Sequence, residues 1–99
     1  LSEVIRQIRE REGNSKAFLT FDIDFLDPAY APGTGTIEAG GWTGAEALDL
    51  VRKLKGLDFV GYDLVEVLPA YDPSQITAFL AGNIVFEFIS LIALKKAGR

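Results

Sequence analysis

A chain of 99 residues that is 48% hydrophobic and 24% charged, with mean hydropathy +0.19, has the make-up of one small folded unit, which excludes a disordered tail. Its net charge of −4 and isoelectric point near 4.7 give it no overall attraction for nucleic acid or an anionic membrane surface, and favour a cationic partner. It holds neither cysteine nor histidine, which excludes disulfides and thiolate sites and permits a reducing, cytoplasmic setting.

The first residues after Leu1 are charged and amphipathic, unlike a signal peptide, and read as a start in mid-chain. From Ser2 to Glu12, Val4, Ile5 and Ile8 recur at helical spacing among Arg6, Arg9, Glu10 and Arg11, and Gly13-Asn14 stops the helix. Ala17 to Ile23 is a short apolar run rich in aromatics between Asn14-Ser15 and Asp27-Pro28, the pattern of a buried strand. Asp27 to Trp42 contains two prolines and four glycines and predicts a long loop. Thr43 with Glu46 forms a capping box for a helix whose apolar stripe is Leu48, Val51 and Leu54, ended by Gly56. Leu57 to Val67 predicts a second strand. Asp72-Pro73 then caps a last helix that runs to about Ala97. Its stretch Ile76 to Leu94 approaches the length of a membrane span, but Thr77, Asn83, Glu87 and Ser90 interrupt it and favour a buried core helix.

The order helix, strand, helix, strand, helix is an α/β pattern, whose middle three elements predict a right-handed βαβ crossover with parallel strands. Two parallel strands are not a stable sheet. An apolar sheet of this kind needs further strands beside it and helices on both faces, so neighbouring structure is expected from outside the chain, and a homo-oligomer is expected where edges stay open.

All ten basic residues fall in three clusters, Arg6 to Lys16, Arg52 to Lys55 and Lys95 to Arg99, at or near predicted helix ends. Asp22, Asp24, Asp27, Glu38, Glu46 and Asp49 are the only charges between Lys16 and Arg52, and Asp58, Asp63, Glu66, Asp72 and Glu87 the only ones between Lys55 and Lys95, so these carboxylates are expected to lack local counter-ions. Asp22 and Asp24 pose the sharpest problem, because at i, i+2 on a strand their carboxylates project to one side and repel. A bound divalent cation resolves the repulsion. Oxygen-rich sites take magnesium, calcium or manganese, and mixed carboxylate and imidazole sites take manganese, iron or zinc. The plainer alternative is that both acids cap loop amides or meet arginines from elsewhere in the protein. Position favours the cation: Asp22, Asp24 and Glu66 all lie near carboxyl ends of strands, where open α/β sheets bind ligands.

The segment Thr20-Phe-Asp22-Ile-Asp24-Phe-Leu-Asp27-Pro28-Ala-Tyr-Ala-Pro32-Gly33-Thr34-Gly35-Thr36-Ile-Glu-Ala-Gly40-Gly41 resembles the third metal signature of the arginase and agmatinase (ureohydrolase) family. A second block, Gly61-Tyr-Asp-Leu-Val-Glu66-Val-Leu-Pro69-Ala70-Tyr71-Asp72, resembles that family's substrate-binding segment. Both blocks lean toward agmatinases and related guanidino-acid hydrolases. Leu68 stands where arginases carry Asn, Trp42 where an aliphatic residue is common, and Ile37-Glu38 replaces a frequent proline-containing pair.

The resemblance implies the C-terminal part of a three-layer α/β/α fold with a parallel sheet, and a manganese enzyme that hydrolyses agmatine to putrescine and urea, with guanidinobutyrate or arginine as alternative substrates. It implies that Asp22 bridges two manganese ions and Asp24 chelates one of them, so that activated water attacks the planar guanidino carbon. Glu66 would hold the guanidinium by charge-assisted hydrogen bonds, unless it serves in a structural ion pair. Asp27 is assigned to fixing loop amides beside the metal ligands, Glu38 to a solvated loop, and the four loop glycines to tight turns. The family's remaining ligands lie in Gly-Gly-Asp-His and Asp-Ala-His-x-Asp motifs, which this chain lacks, so no catalytic residue is assigned here and the isolated chain is expected to be inactive. Two other readings are a non-catalytic remnant that oligomerises and a haloacid dehalogenase-like phosphatase using Asp22 and Asp24. Leu26, where that phosphatase family favours Thr, opposes the second. A calcium loop is opposed by the spacing of Asp22, Asp24 and Asp27.

Overall fold

The computed structural model describes residues 1–99. Along the first strand, Lys16–Asp22 (β1), Ala17, Leu19 and Phe21 are at least half-buried while Lys16, Phe18, Thr20 and Asp22 are exposed, the two-residue alternation of a sheet with one covered face. In the second, Asp58–Val65 (β2), Phe59, Tyr62 and Leu64 turn inward and Val60, Asp63 and Val65 outward. The strands pair in parallel, from Lys16 opposite Asp58 to Asp22 opposite Val65, with a bulge between Ala17 and Phe18. β2 stops two residues short of the expected Val67 because Glu66 adopts φ 77°, outside the extended region.

Three helices, Ser2–Glu12 (α1), Gly44–Lys53 (α2) and Ile76–Lys96 (α3), bury residues against the inner face of this pair. Phe21, Ile23 and Leu26 pack with Ala47 and Val51 of α2 and Ile84, Phe88 and Leu91 of α3. A smaller cluster joins Ile5 of α1 to Leu54, Leu57 and Phe59. The capping box forms as expected: Thr43 Oγ1 accepts from the Glu46 amide and Glu46 accepts from the Thr43 amide. At the other end of α2, the Arg9 guanidinium donates to the carbonyls of Lys53 and Lys55, 2.5 and 2.6 Å away, supplying donors that the helix terminus lacks.

The expectation that the intervening acids lack basic partners is corrected for three of them. Lys53 pairs with Asp49 one turn back on α2, while Lys95 pairs with Asp58 and Arg52 with Glu87 because packing α3 beside α2 and β2 brings residues distant in sequence together. No lysine or arginine pairs with Asp22, Asp24 or Glu66.

α3 is apolar on all sides, but only the stripe Thr77, Ala81, Ile84, Phe88 and Leu91 is buried; Ile76, Phe79, Val85, Phe86, Ile89 and Ile92 are exposed. The buried core helix is thus realised on one side alone, since the chain supplies nothing to cover the other. By length and composition the helix could cross a membrane. Its buried stripe nevertheless carries the Thr77 hydroxyl, and Glu87 beside it is ion-paired to α2, which are features of a packed core.

The start of α3 is also corrected. Pro73 does not open the helix: Pro73–Gln75 is a 3₁₀ turn with Ser74 at φ 54° and Gln75 at φ 61°, and α3 begins at Ile76. The Asp72 carboxylate reaches across this turn and accepts from the amides of Thr77, 2.8 Å away, and Ala78, 2.9 Å away. Desolvation works to raise the Asp72 pKa, but hydrogen bonds from Thr77 and Ala78 outweigh it and hold the carboxyl below its ordinary value of 3.8. Because the folded state depresses this pKa, the cap stabilises fully above the unfolded value and is lost as pH falls through the folded one. Asp72→Asn should therefore lower the melting temperature at neutral pH, and the gap from the unsubstituted protein should close under strong acid in a pH series of thermal melts. A gap independent of pH would show that the ionised cap is not its source.

Candidate active site at the carboxyl ends of the strands

β1 and β2 end level with each other, Asp22 opposite Val65, so residues just beyond both ends share one rim of the sheet. After Asp22 the chain enters a 3₁₀ turn, Ile23–Phe25, pinned by Ile23 and Leu26, which are 0% and 1% exposed. The proposed strand-pleat geometry is corrected here: Asp24 lies on the turn, and the Asp22 carboxylate accepts from the Asp24 amide at 3.0 Å. The two acids are still neighbours, brought together by the turn. One Asp24 oxygen, Oδ2, accepts from Thr36 Oγ1 at 2.9 Å. Glu66, on the adjoining strand end, is exposed and makes no hydrogen bond through its side chain. Its left-handed φ is a strained conformation for a non-glycine residue, of the kind that clusters at functional sites.

Desolvation raises the Asp22 pKa above 3.8, and the charges of Asp24 and Glu66 push it further the same way, although the Asp24 amide opposes them. An acid pair held together without a basic partner is suited to a hard divalent cation, for which Asp22 and Asp24 offer oxygen donors. Two carboxylates are fewer donors than a divalent cation takes. No three acids of this chain converge as a metal cage, and Glu66 lies at the same rim, near enough for its charge to act on Asp22.

Asp27 organises the loop that walls this rim. Its Oδ1 accepts from the Ala29 amide at 2.8 Å and its Oδ2 from the Gly40 amide at 2.9 Å, so both oxygens are taken by backbone. Its own amide donates to the Trp42 carbonyl at 2.8 Å, and the Trp42 ring packs edge-on to Phe25 with centroids 5.6 Å apart. Gly41 is required where the strands of this loop meet, since a Cβ there would lie 2.5 Å from the Phe25 carbonyl oxygen. Glu38 is exposed and Leu26 is core, which leaves the phosphatase reading without a polar group at that position.

Three threonines belong to the site that sequence reasoning did not single out. Thr36 orients Asp24; Thr34, 3% exposed, donates to the Thr36 carbonyl at 2.8 Å; and Thr77 of α3 accepts from the Gly33 amide at 2.7 Å. The repeated Gly-Thr of residues 33–36 was the available signal for the first two. Asp27→Ala would remove both hydrogen bonds that close this loop and hand the exposed Ala29 and Gly40 amides to water, a cost of about 1 kcal/mol. The expected outcome is a lower denaturation midpoint together with weakened metal binding, measured by chemical denaturation and metal titration; metal binding lost without any change in midpoint would make Asp27 a ligand.

With this geometry in view, comparison with known proteins is specific. Residues 1–90 match the sequence model of the Arginase family. An agmatinase of Escherichia coli O9:H4 (strain HS) is 51% identical over 96 residues, covering 97% of this chain and 31% of that protein. The crystal structure of a hypothetical agmatinase from Burkholderia thailandensis superposes with TM-score 0.93 at 48% identity, covering 99% of this chain and 31% of the other. Proclavaminate amidino hydrolase from Streptomyces clavuligerus superposes with TM-score 0.87 at 41% identity, over 91% of this chain and 31% of the other. The chain therefore spans about a third of the length of the relatives it matches. The three-layer α/β expectation agrees with these neighbours, of which two strands and one helical layer are present here. An acid pair on a β-strand end, the loop around Asp27 and a fold shared over 99% of its length identify the chain as a member of the arginase family.

Proposed function

We propose that this chain forms one wall of the active site of a manganese-dependent ureohydrolase whose substrate is agmatine, cleaved to putrescine and urea. The observation that carries the reading is the rim where Asp22 and Asp24 stand beside Glu66 with no cation of the chain to neutralise them. Agmatinases at about half identity and an amidino hydrolase among the structural relatives support a guanidino substrate. The net charge of −4 favours that cationic class.

In this reading Asp22 and Asp24 hold metal, with Thr36 fixing the orientation of Asp24. Bound manganese supplies activated water at neutral pH and cancels the repulsion between the two acids. Glu66 receives the guanidinium by paired N–H donation into its carboxylate and turns the planar carbon toward the acid pair. Leu68, two residues further on, is apolar where arginases carry Asn, which suits the aliphatic chain of agmatine better than the α-amino acid end of arginine. The remaining ligands come from outside these 99 residues. The cytoplasm is the compartment that suits a chain without cysteine, and a homo-oligomer suits the uncovered sheet edges.

The test is urea release with manganese, run on the purified chain and on the polypeptide that also carries the family's histidine motifs, across agmatine, guanidinobutyrate and arginine. Turnover is expected only in the longer polypeptide and fastest with agmatine; turnover by the 99-residue chain alone overturns the division of the site. Glu66→Gln keeps the shape and removes the charge, so kcat/KM for agmatine should fall about ten- to a hundredfold, the scale of one charged hydrogen bond. Unchanged kcat/KM would place the guanidinium elsewhere.

A further inference from the structure

Asp24 and Glu66 both lie beyond the last paired residues of their strands, so sheet register does not set the distance between them. A different connection does. The Leu68 amide donates to the Gly33 carbonyl at 2.7 Å, and the Gly33 amide donates to Thr77 Oγ1, also at 2.7 Å. Gly33 leads through the buried Thr34 to Thr36 and thus to Asp24, while Leu68 follows closely on Glu66. Thr77 is itself fixed, 0% exposed on the first turn of α3, with its amide held by Asp72.

The contact admits nothing larger than glycine at position 33: a Cβ there would lie 2.5 Å from Asp72 Cβ and 2.9 Å from Thr77 Oγ1. The backbone of the metal-side loop is pressed directly onto the helix hydroxyl through the Gly33 amide, and the guanidinium-side segment is hung from the carbonyl of the same residue. Thr77 shares its turn with apolar residues, and a valine would fill its volume; the hydroxyl accepts from the Gly33 amide and also hydrogen-bonds the Asp72 carboxylate. A buried amide with one acceptor loses much more by losing it than a solvated one does.

We infer that Thr77 is a positioning residue of this site, its hydroxyl joining the loop that orients Asp24 to the segment that presents Glu66 and so setting the spacing between metal and guanidinium. The inference rests on the ureohydrolase reading for its functional readout, but the connection itself is measurable without it. Thr77 is 0% exposed and so is closed off from any ligand at the rim. Its loss should therefore act on both halves of the site together.

The experiment compares Thr77→Val, which keeps the shape without the hydroxyl, and Thr77→Ser, which keeps the hydroxyl, in the longer polypeptide. Manganese affinity is read by titration, KM and kcat from urea release, and amide exchange at Gly33 and Leu68 by hydrogen exchange. The expected result for Thr77→Val is weaker manganese binding and raised KM, each about five- to tenfold, the scale of one hydrogen bond. Exchange should quicken at both amides, and Thr77→Ser should restore all of these. Manganese affinity and KM that stay unchanged in folded Thr77→Val overturn the inference, as does Thr77→Ser failing to restore them. Should Thr77→Val not fold, the unsubstituted protein decides: Gly33 and Leu68 protected together supports the connection, and a Gly33 amide exchanging like an open loop overturns it. If the unsubstituted protein neither binds manganese nor releases urea, the ureohydrolase reading fails, while exchange still reports on the connection.

Discussion

Like charges at the end of a parallel strand pair are the constraint around which this chain is arranged. Asp22 ends β1, Asp24 follows on a tight turn, and Glu66 leaves β2 through a strained backbone, all at one rim and all without a basic partner. Elsewhere the fold satisfies its acids efficiently: Asp49, Asp58 and Glu87 are ion-paired, and Asp27 and Asp72 are enclosed by amides. Leaving three acids uncompensated is destabilising for the fold, and desolvation, with the charges of Asp24 and Glu66 adding to it, raises the Asp22 pKa. In the proposed reading a bound metal and a cationic substrate would remove that cost.

The surroundings serve to keep this unfavourable arrangement in place. Ile23 and Leu26 sink the turn into the core, so Asp24 is carried on a rigid anchor. Asp27 gathers amides from both ends of the loop, and the Gly33 peptide joins that loop to α3 and to the segment after Glu66. Rigidity at the rim contrasts with the bare outer face of the sheet and the exposed side of α3. Those apolar surfaces have the composition of buried layers, in keeping with relatives about three times as long.

Much of this was legible in the sequence, for reasons that differ by element. α1, the capping box of α2 and the parallel crossover follow from local periodicity and short-range hydrogen bonding, and each formed as read. The acids were found from where charges stood unmatched along the chain. Their true geometry was not, because whether Asp24 continues the strand or enters a turn depends on how Ile23 and Leu26 are buried against α2 and α3. The start of α3 was misjudged for a similar reason: Asp72-Pro73 carries a strong local cap signal, but Ser74 and Gln75 take left-handed backbone and the cap acts on amides several residues later. Contacts between residues far apart, Lys95 with Asp58, Arg52 with Glu87 and Thr77 with Gly33, leave no local pattern at all.

Asp22 would hold metal in the proposed reading, and the family resemblance implies that it would do so as the link between two manganese ions. Electron paramagnetic resonance of the longer polypeptide titrated with manganese addresses this directly. The prediction is two ions per chain with the spectrum of an exchange-coupled pair, and loss of that coupling in Asp22→Asn. A single uncoupled ion, or a coupled pair that survives Asp22→Asn, would contradict it.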